Sequence, residues 1–150
     1  MANENVALMR RWFDEVWNQR RRETITELLA EGGVAHWIDE TGRDLTGPQE
    51  FLPYYDRLCA AFPDIRMTVD ECFEFGDKVI VRWSAKMRHT GDLLGIRASG
   101  KPVAVSGMTM AKIANGKVVE GWDSWDKLGM LMQIDAVELK IARAAEEGSV

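Results

Sequence analysis

The sequence predicts an α+β domain in which helices cover one side of a sheet. Three observations carry this. Three helix-like segments fall within residues 4–62, the first and third with apolar side chains at helical spacing. From residue 65 the chain changes to long runs rich in β-branched and aromatic residues, one of them in strict period two. Turn signals separate these runs, and no linker, repeat or low-complexity segment divides the 150 residues, so helices first and an antiparallel meander after share one core.

The elements follow in order. Val6, Met9, Phe13 and the pair Val16/Trp17 lie on one face of a helix over 4–18, with Arg10, Arg11, Asp14 and Glu15 largely opposite. A short helix fits 22–31: Thr24 and Glu27 have capping-box spacing, and Gly32-Gly33 marks its end. Val34–Asp39 reads as a short strand, followed by a Gly/Asp loop. Gly47-Pro48 opens a third helix through Phe62, with Phe51, Tyr55, Leu58 and Phe62 inward and Pro63 at its end. Strands are predicted over 65–75, 78–90, 102–114 and 117–125, with hairpin turns at Gly76-Asp77 and Asn115-Gly116. In the second of them Val79, Val81, Trp83, Ala85, Met87 and His89 share one face, and Ile80, Arg82, Ser84, Lys86 and Arg88 the other. A loop over Thr90–Lys101 joins two long strands, and Lys127–Gln133 forms a short closing helix. The domain therefore spans 1–134, and 135–150 is a tail, helical or frayed.

Composition excludes several classes. A net charge of −5 argues against nucleic-acid and membrane partners. Arg20-Arg21-Arg22 is short and reads as a solvated helix end. No apolar run approaches the ~20 residues that span a bilayer. The start lacks a basic segment followed by an apolar one; the two cysteines, Cys59 and Cys72, could pair, but nothing else points to a secreted disulfide scaffold, and the expected setting is the reduced cytoplasm. Nucleophile-elbow, P-loop and dinucleotide glycine patterns are absent. With two histidines and no His/Cys/carboxylate cluster, neither metal nor cofactor is expected.

Several stretches together resemble the SnoaL-like polyketide cyclases, also called ester cyclases. They are Ala61-Phe-Pro-Asp-Ile-Arg-Met-Thr-Val-Asp, Gly76-Asp-Lys-Val-Ile-Val-Arg-Trp, His89-Thr-Gly-Asp-Leu-Leu-Gly-Ile with Gly100-Lys-Pro-Val, and Gly116-Lys-Val-Val-Glu-Gly-Trp-Asp-Ser-Trp-Asp-Lys-Leu-Gly-Met-Leu-Met-Gln. The likeness covers about residues 5–134. It departs at Arg97, where the family commonly has Pro, and at Met130–Asp135. The resemblance implies the cone-shaped fold of nuclear transport factor 2: a curved, mixed, mainly antiparallel sheet wrapped around three N-terminal helices and enclosing a pocket. It also implies a homodimer packed through the sheet, and an intramolecular aldol-type ring closure driven by an acid/base aspartate on a hydrophobic small-molecule substrate. The alternatives keep the pocket but give it another lyase, isomerase or hydrolase reaction, or make it a non-catalytic module that binds a hydrophobic ligand.

By resemblance the acid/base is Asp126, with Trp122 among the apolar residues that would dry its setting. The spacing leaves a second role open, because Asp is a favoured N-cap for a helix starting at Lys127. Strand parity puts Glu120, Trp122, Ser124 and Asp126 on one face, and Val119, Gly121, Asp123 and Trp125 on the other. Asp123 reaches the Asp126 face only if the strand breaks early. His89 extends an apolar strand face and is either a donor to substrate or a loop anchor. His36 matches a histidine often found at this place in the family. Phe13, Trp17 and Tyr55 sit on inward helical faces, where core and pocket wall are one surface. Trp83, Met87, Met108 and Met110 complete the expected apolar lining.

Overall fold

A computed structural model describes residues 3–144. The first helix, α1 (Glu4–Arg11), runs without a break into a π-helical stretch, Trp12–Asn18. In that stretch Trp12, Phe13, Val16 and Trp17 are all buried, so the wider winding turns four bulky groups to one side. The second helix, α2 (Arg22–Leu28), is shorter than its spacing predicts. Thr24 does not cap it: the hydroxyl is buried inside the helix and donates to Glu15 at 2.7 Å. Glu27 accepts from Arg21 at 2.9 Å and also from Arg11, which ties α2 to the preceding rod.

Gly32-Gly33 does not stop a helix either. Strand β1 (Leu29–His36) contains both glycines, in the segment where its parallel register with the last strand shifts between Leu29 and Val34. A two-residue strand, β2 (Leu45–Thr46), leads into α3 (Gly47–Ala61). Pro53 interrupts the α3 ladder on its exposed side, where water can take the freed carbonyl. Phe51, Tyr54, Tyr55, Leu58 and Ala61 form the buried face.

The meander has the predicted strands: β3 (Arg66–Phe75), β4 (Lys78–Arg88), β5 (Pro102–Ala114) and β6 (Lys117–Trp125). Asn115 and Gly116 both have positive φ, 52° and 73°, as a two-residue hairpin turn of this kind requires. The sheet order is β2-β1-β6-β5-β4-β3; only β1 and β6 are parallel. The inner face carries Val79, Val81, Trp83, Ala85 and Met87 of β4 with Val103, Val105, Ala111 and Ile113 of β5. The helices pack on that face, which puts the core inside the curve of the sheet.

The last helix, α4 (Lys127–Gln133), crosses the end of β5 beyond the last paired residue of β6. There the Gln133 side chain binds the Ala104 backbone on both sides: Oε1 accepts the N–H at 2.8 Å and Nε2 donates to the carbonyl at 3.0 Å. Residues 137–144 carry no helix or strand, so the helical form of the tail is not seen over these positions; 145–150 lie outside the described residues. Among the described residues no helix is long and apolar enough to cross a membrane.

Candidate functional site

Helices and inner sheet face enclose a cavity of about 80 Å³. Seven lining side chains are aromatic: Trp12, Phe13 and Trp17 from the N-terminal rod, Phe51 and Tyr54 from α3, Trp83 and Trp125 from the sheet. Met9, Met67 and Met87 add adaptable apolar wall. Asp123 is the only charged side chain among the described lining residues, and Thr109 stands beside it.

The sheet register builds this polar corner. Asp123 on β6 lies directly opposite Thr109 on β5, and Trp83 on β4 lies opposite Gly107, one pair away on the same face. Trp83 Nε1 donates to Thr109 Oγ1 at 3.0 Å, and Thr109 Oγ1 donates to Asp123 Oδ1 at 2.5 Å. An indole N–H can only donate, so it occupies a lone pair of the hydroxyl and turns the hydroxyl proton toward Asp123. The second carboxylate oxygen, Oδ2, makes no hydrogen bond among the described residues. Gly107 leaves room for this arrangement. A Cβ there would stand 2.5 Å from Trp83 Cζ2 and 2.7 Å from Trp125 Cβ.

Burial pushes the Asp123 carboxyl up to about 6, against the Thr109 hydrogen bond and the charge of Lys127. Lys127 itself is turned outward: Nζ donates to the Trp37 carbonyl and lies 5.8 Å from the Trp125 ring centre. Tyr54 is pushed well above the usual phenol range, first by its own burial and then by the Asp123 charge, so it stays protonated. The raised Asp123 value has a thermodynamic consequence. Between the unfolded value of about 3.8 and the folded value of about 6, the folded state keeps a proton that the unfolded chain has lost. This group's contribution to stability therefore falls as pH rises through that window, by on the order of 3 kcal/mol, and is level above it. Asp123→Asn is expected to remove that fall. Urea unfolding at pH 4 and pH 7.5 should show the variant gaining on the wild type as pH rises; an unchanged gap would refute the buried, ionising carboxylate.

Of the residues expected at the site, Phe13, Trp17, Trp83, Met87 and Asp123 line the cavity. The others do not. Asp126 is exposed and caps α4, its Oδ1 accepting from Gly129 N–H at 2.8 Å. Trp122, one residue from Asp123, points to the outer face and stacks on His36 at 5.6 Å. His36 sits between Glu120 at 2.7 Å and Asp44 at 3.0 Å, and the Glu120 hydrogen bond raises its pKa above the ordinary value, with Asp44 adding to it. Met108 and Met110 pair with Arg82 and Ile80 on β4's outer parity, because the inner positions of β5 are the odd ones, Val103 to Ile113. Tyr55 is one layer behind the wall, its hydroxyl donating to the Val16 carbonyl at 2.8 Å. Its neighbour Tyr54 takes the lining place. His89 is fully buried beyond the end of β4. Its Nδ1 accepts the Ser99 N–H at 3.0 Å and its ring packs on Phe62, which makes it an anchor of the 90–101 loop.

Sequence reasoning missed Thr109, Gly107, Tyr54 and Trp12 as site residues. A signal for Thr109 was present: with Gly107 it interrupts an otherwise aliphatic inner row on β5, Val103, Val105, Ala111 and Ile113. Among the described residues no group of three or more His, Cys, Asp or Glu side chains is arranged to hold a metal ion.

Comparison with known proteins gives this geometry its relatives. IdmH of Streptomyces antibioticus, a proposed polyketide cyclase, superposes with a TM-score of 0.76 at 25% identity, over 88% of this chain and 99% of its own. A proposed SnoaL-like polyketide cyclase from Jannaschia sp. CCS1 superposes at 0.82 and 25% identity, over 91% and 95%. AclR of Streptomyces galilaeus, a proposed hydroxylase, shares the fold at 0.81 and 20% identity, over 92% and 100%. A sequence comparison with curated proteins gives no match. The α+β architecture is that of the nuclear transport factor 2-like proteins. The family model for SnoaL-like polyketide cyclases matches residues 7–134, and the chain belongs to that family.

Proposed function

We propose that this protein is a small-molecule enzyme of the polyketide-cyclase type, in which Asp123 rather than Asp126 moves the proton. One observation carries the reading: a single carboxylate, with one oxygen held by Thr109 and the other free, faces an aromatic cavity. Ionised Asp123 takes an activated proton from a carbon between two carbonyls. The resulting enolate carbon attacks a third carbonyl, farther along the same molecule, forming the ring carbon–carbon bond. The new alkoxide takes a proton back from Asp123, which is restored as carboxylate. Aromatic walls hold the substrate folded, and a carboxyl pushed up to about 6 is populated in both forms near neutral pH. Neither metal nor cofactor is needed for these steps. An apolar 1,3-diketone in D₂O tests the reading without knowledge of the natural substrate. Wild-type protein is expected to accelerate deuterium uptake at the central carbon, with a rate that rises through a pH of about 6. A rate equal to that of buffer alone would refute it.

We also infer that the active form is a homodimer joined through the outer sheet face, in the cytoplasm, where the two free thiols Cys59 and Cys72 are stable. Phe73, Ile80, Met110 and Trp122 are directly cross-strand neighbours, one from each of four strands, and Met108 beside them is 52% exposed. Charges at this row, such as Met110→Lys, are expected to shift sedimentation from dimer to monomer. A wild-type monomer at micromolar concentration would refute the interface.

A further inference from the structure

The cavity wall holds one potential negative charge and, among the described lining residues, no Lys, Arg or His to balance it. Asp123 has a single hydrogen-bond donor, Thr109, for two oxygens. Buried carboxylates normally gain a paired charge or several donors. Here the surroundings are aromatic rings. Phe13 and Trp83 lie 6.2 Å apart between centres, and Phe51 and Tyr54 lie 5.7 Å apart. Trp125 is two residues from Asp123 on the same strand face. Ring faces are negative in their quadrupole and attract weakly hydrated organic cations, most strongly when the site is dry.

We propose that this cavity selects apolar organic ammonium compounds, tertiary or quaternary, over neutral molecules of the same shape, with the nitrogen near Asp123 Oδ2. The ligand would supply the countercharge that the wall lacks and replace lost hydration with ring faces. Inorganic cations are not favoured, because a wall of carbon offers too few oxygens to replace their water. The charged and titratable groups around this corner do not supply the missing charge. Lys127 is committed outward to the Trp37 carbonyl. Beyond Tyr54 stand Asp39, Glu40 and Arg57, and Arg57 is paired with both acids at 3.5 and 3.3 Å. The inference rests on the cavity being a ligand site, as in the reading above, but not on Asp123 acting as a base.

The test pairs benzyltrimethylammonium with neopentylbenzene, its neutral isostere, in titrations followed by NMR. At pH 7.5 the cation is expected to bind at least tenfold more tightly. Its affinity should fall several-fold by pH 5, as Asp123 takes a proton, while the isostere's stays constant. In Asp123→Asn the preference should vanish while neopentylbenzene still binds, which shows that the variant keeps its cavity. Equal affinity for the two probes in the wild type, failure of the cation to bind, or a preference that survives in Asp123→Asn would each overturn the proposal. Diketone exchange by the same wild-type sample reads the acid/base role separately, so either idea can fail alone.

Discussion

Asp123→Asn is expected to slow diketone exchange by about 100- to 10,000-fold, the range that a positioned acid or base contributes. Asp126→Asn is expected to leave it within about twofold. The contrast follows from place, since the two side chains have the same chemistry. Asp123 is buried and faces the cavity with one oxygen free, whereas Asp126 is exposed and spends its oxygen on the Gly129 amide. Asn serves as an N-cap about as well as Asp, so the second variant should also fold normally. Exchange kinetics of both variants across pH 5–8 decide the matter. If Asp126→Asn is the inactive one, the proton is moved outside the cavity and the mechanism proposed for Asp123 is wrong.

Gly107→Ala is expected to cost about 1–3 kcal/mol, the range for overfilling a packed interior. For a chain of this size that lowers the melting temperature by roughly 3–10 °C. The added methyl meets the Trp83 ring at 2.5 Å and Trp125 Cβ at 2.7 Å, and neither is the loose end of a flexible side chain. Trp83 must move, and its N–H then leaves Thr109. The hydroxyl is no longer held toward Asp123, so the carboxyl should titrate above its present value of about 6. Gly121→Ala is the control, because its new methyl would find its nearest neighbour at 3.9 Å. Thermal unfolding and the carboxyl ¹³C shift of Asp123 read the two effects. A Gly107→Ala variant as stable as Gly121→Ala would show that the indole is not wedged there.

The strands of the meander were legible because alternation and turn chemistry agree there. Val79 through Met87 alternate with Ile80 through Arg88 without exception, and Asn115-Gly116 supplies the two positive φ values. Parity on β6 also puts Asp123 and Trp122 on opposite faces, as they are in the structure, whereas Asp126 lies past the end of the strand as the cap of α4. What parity does not say is which face is inner, because β6 carries a tryptophan on each side, Trp122 and Trp125. Only the register with β5, where Thr109 meets Asp123 and Met110 meets Trp122, resolves it. The α2–β1 junction was misread for a related reason. Gly32-Gly33 is a stop signal for a helix and equally a weak point in a strand, and pairing with β6 decides for the strand. The π-helical winding of Trp12–Asn18 has no local signature that we can identify in the sequence.

The two bonds between Gln133 and the Ala104 backbone bear on how this chain behaves in a crowd of its own copies. Past Trp125 the rim of β5 would otherwise offer an unmatched amide and carbonyl, a template on which a stray strand from another molecule could add. The primary amide of Gln133 mimics one peptide unit and occupies that template. The sheet is thereby finished by a side chain, and recruitment of foreign strands at this rim is blocked without spending another strand to do it.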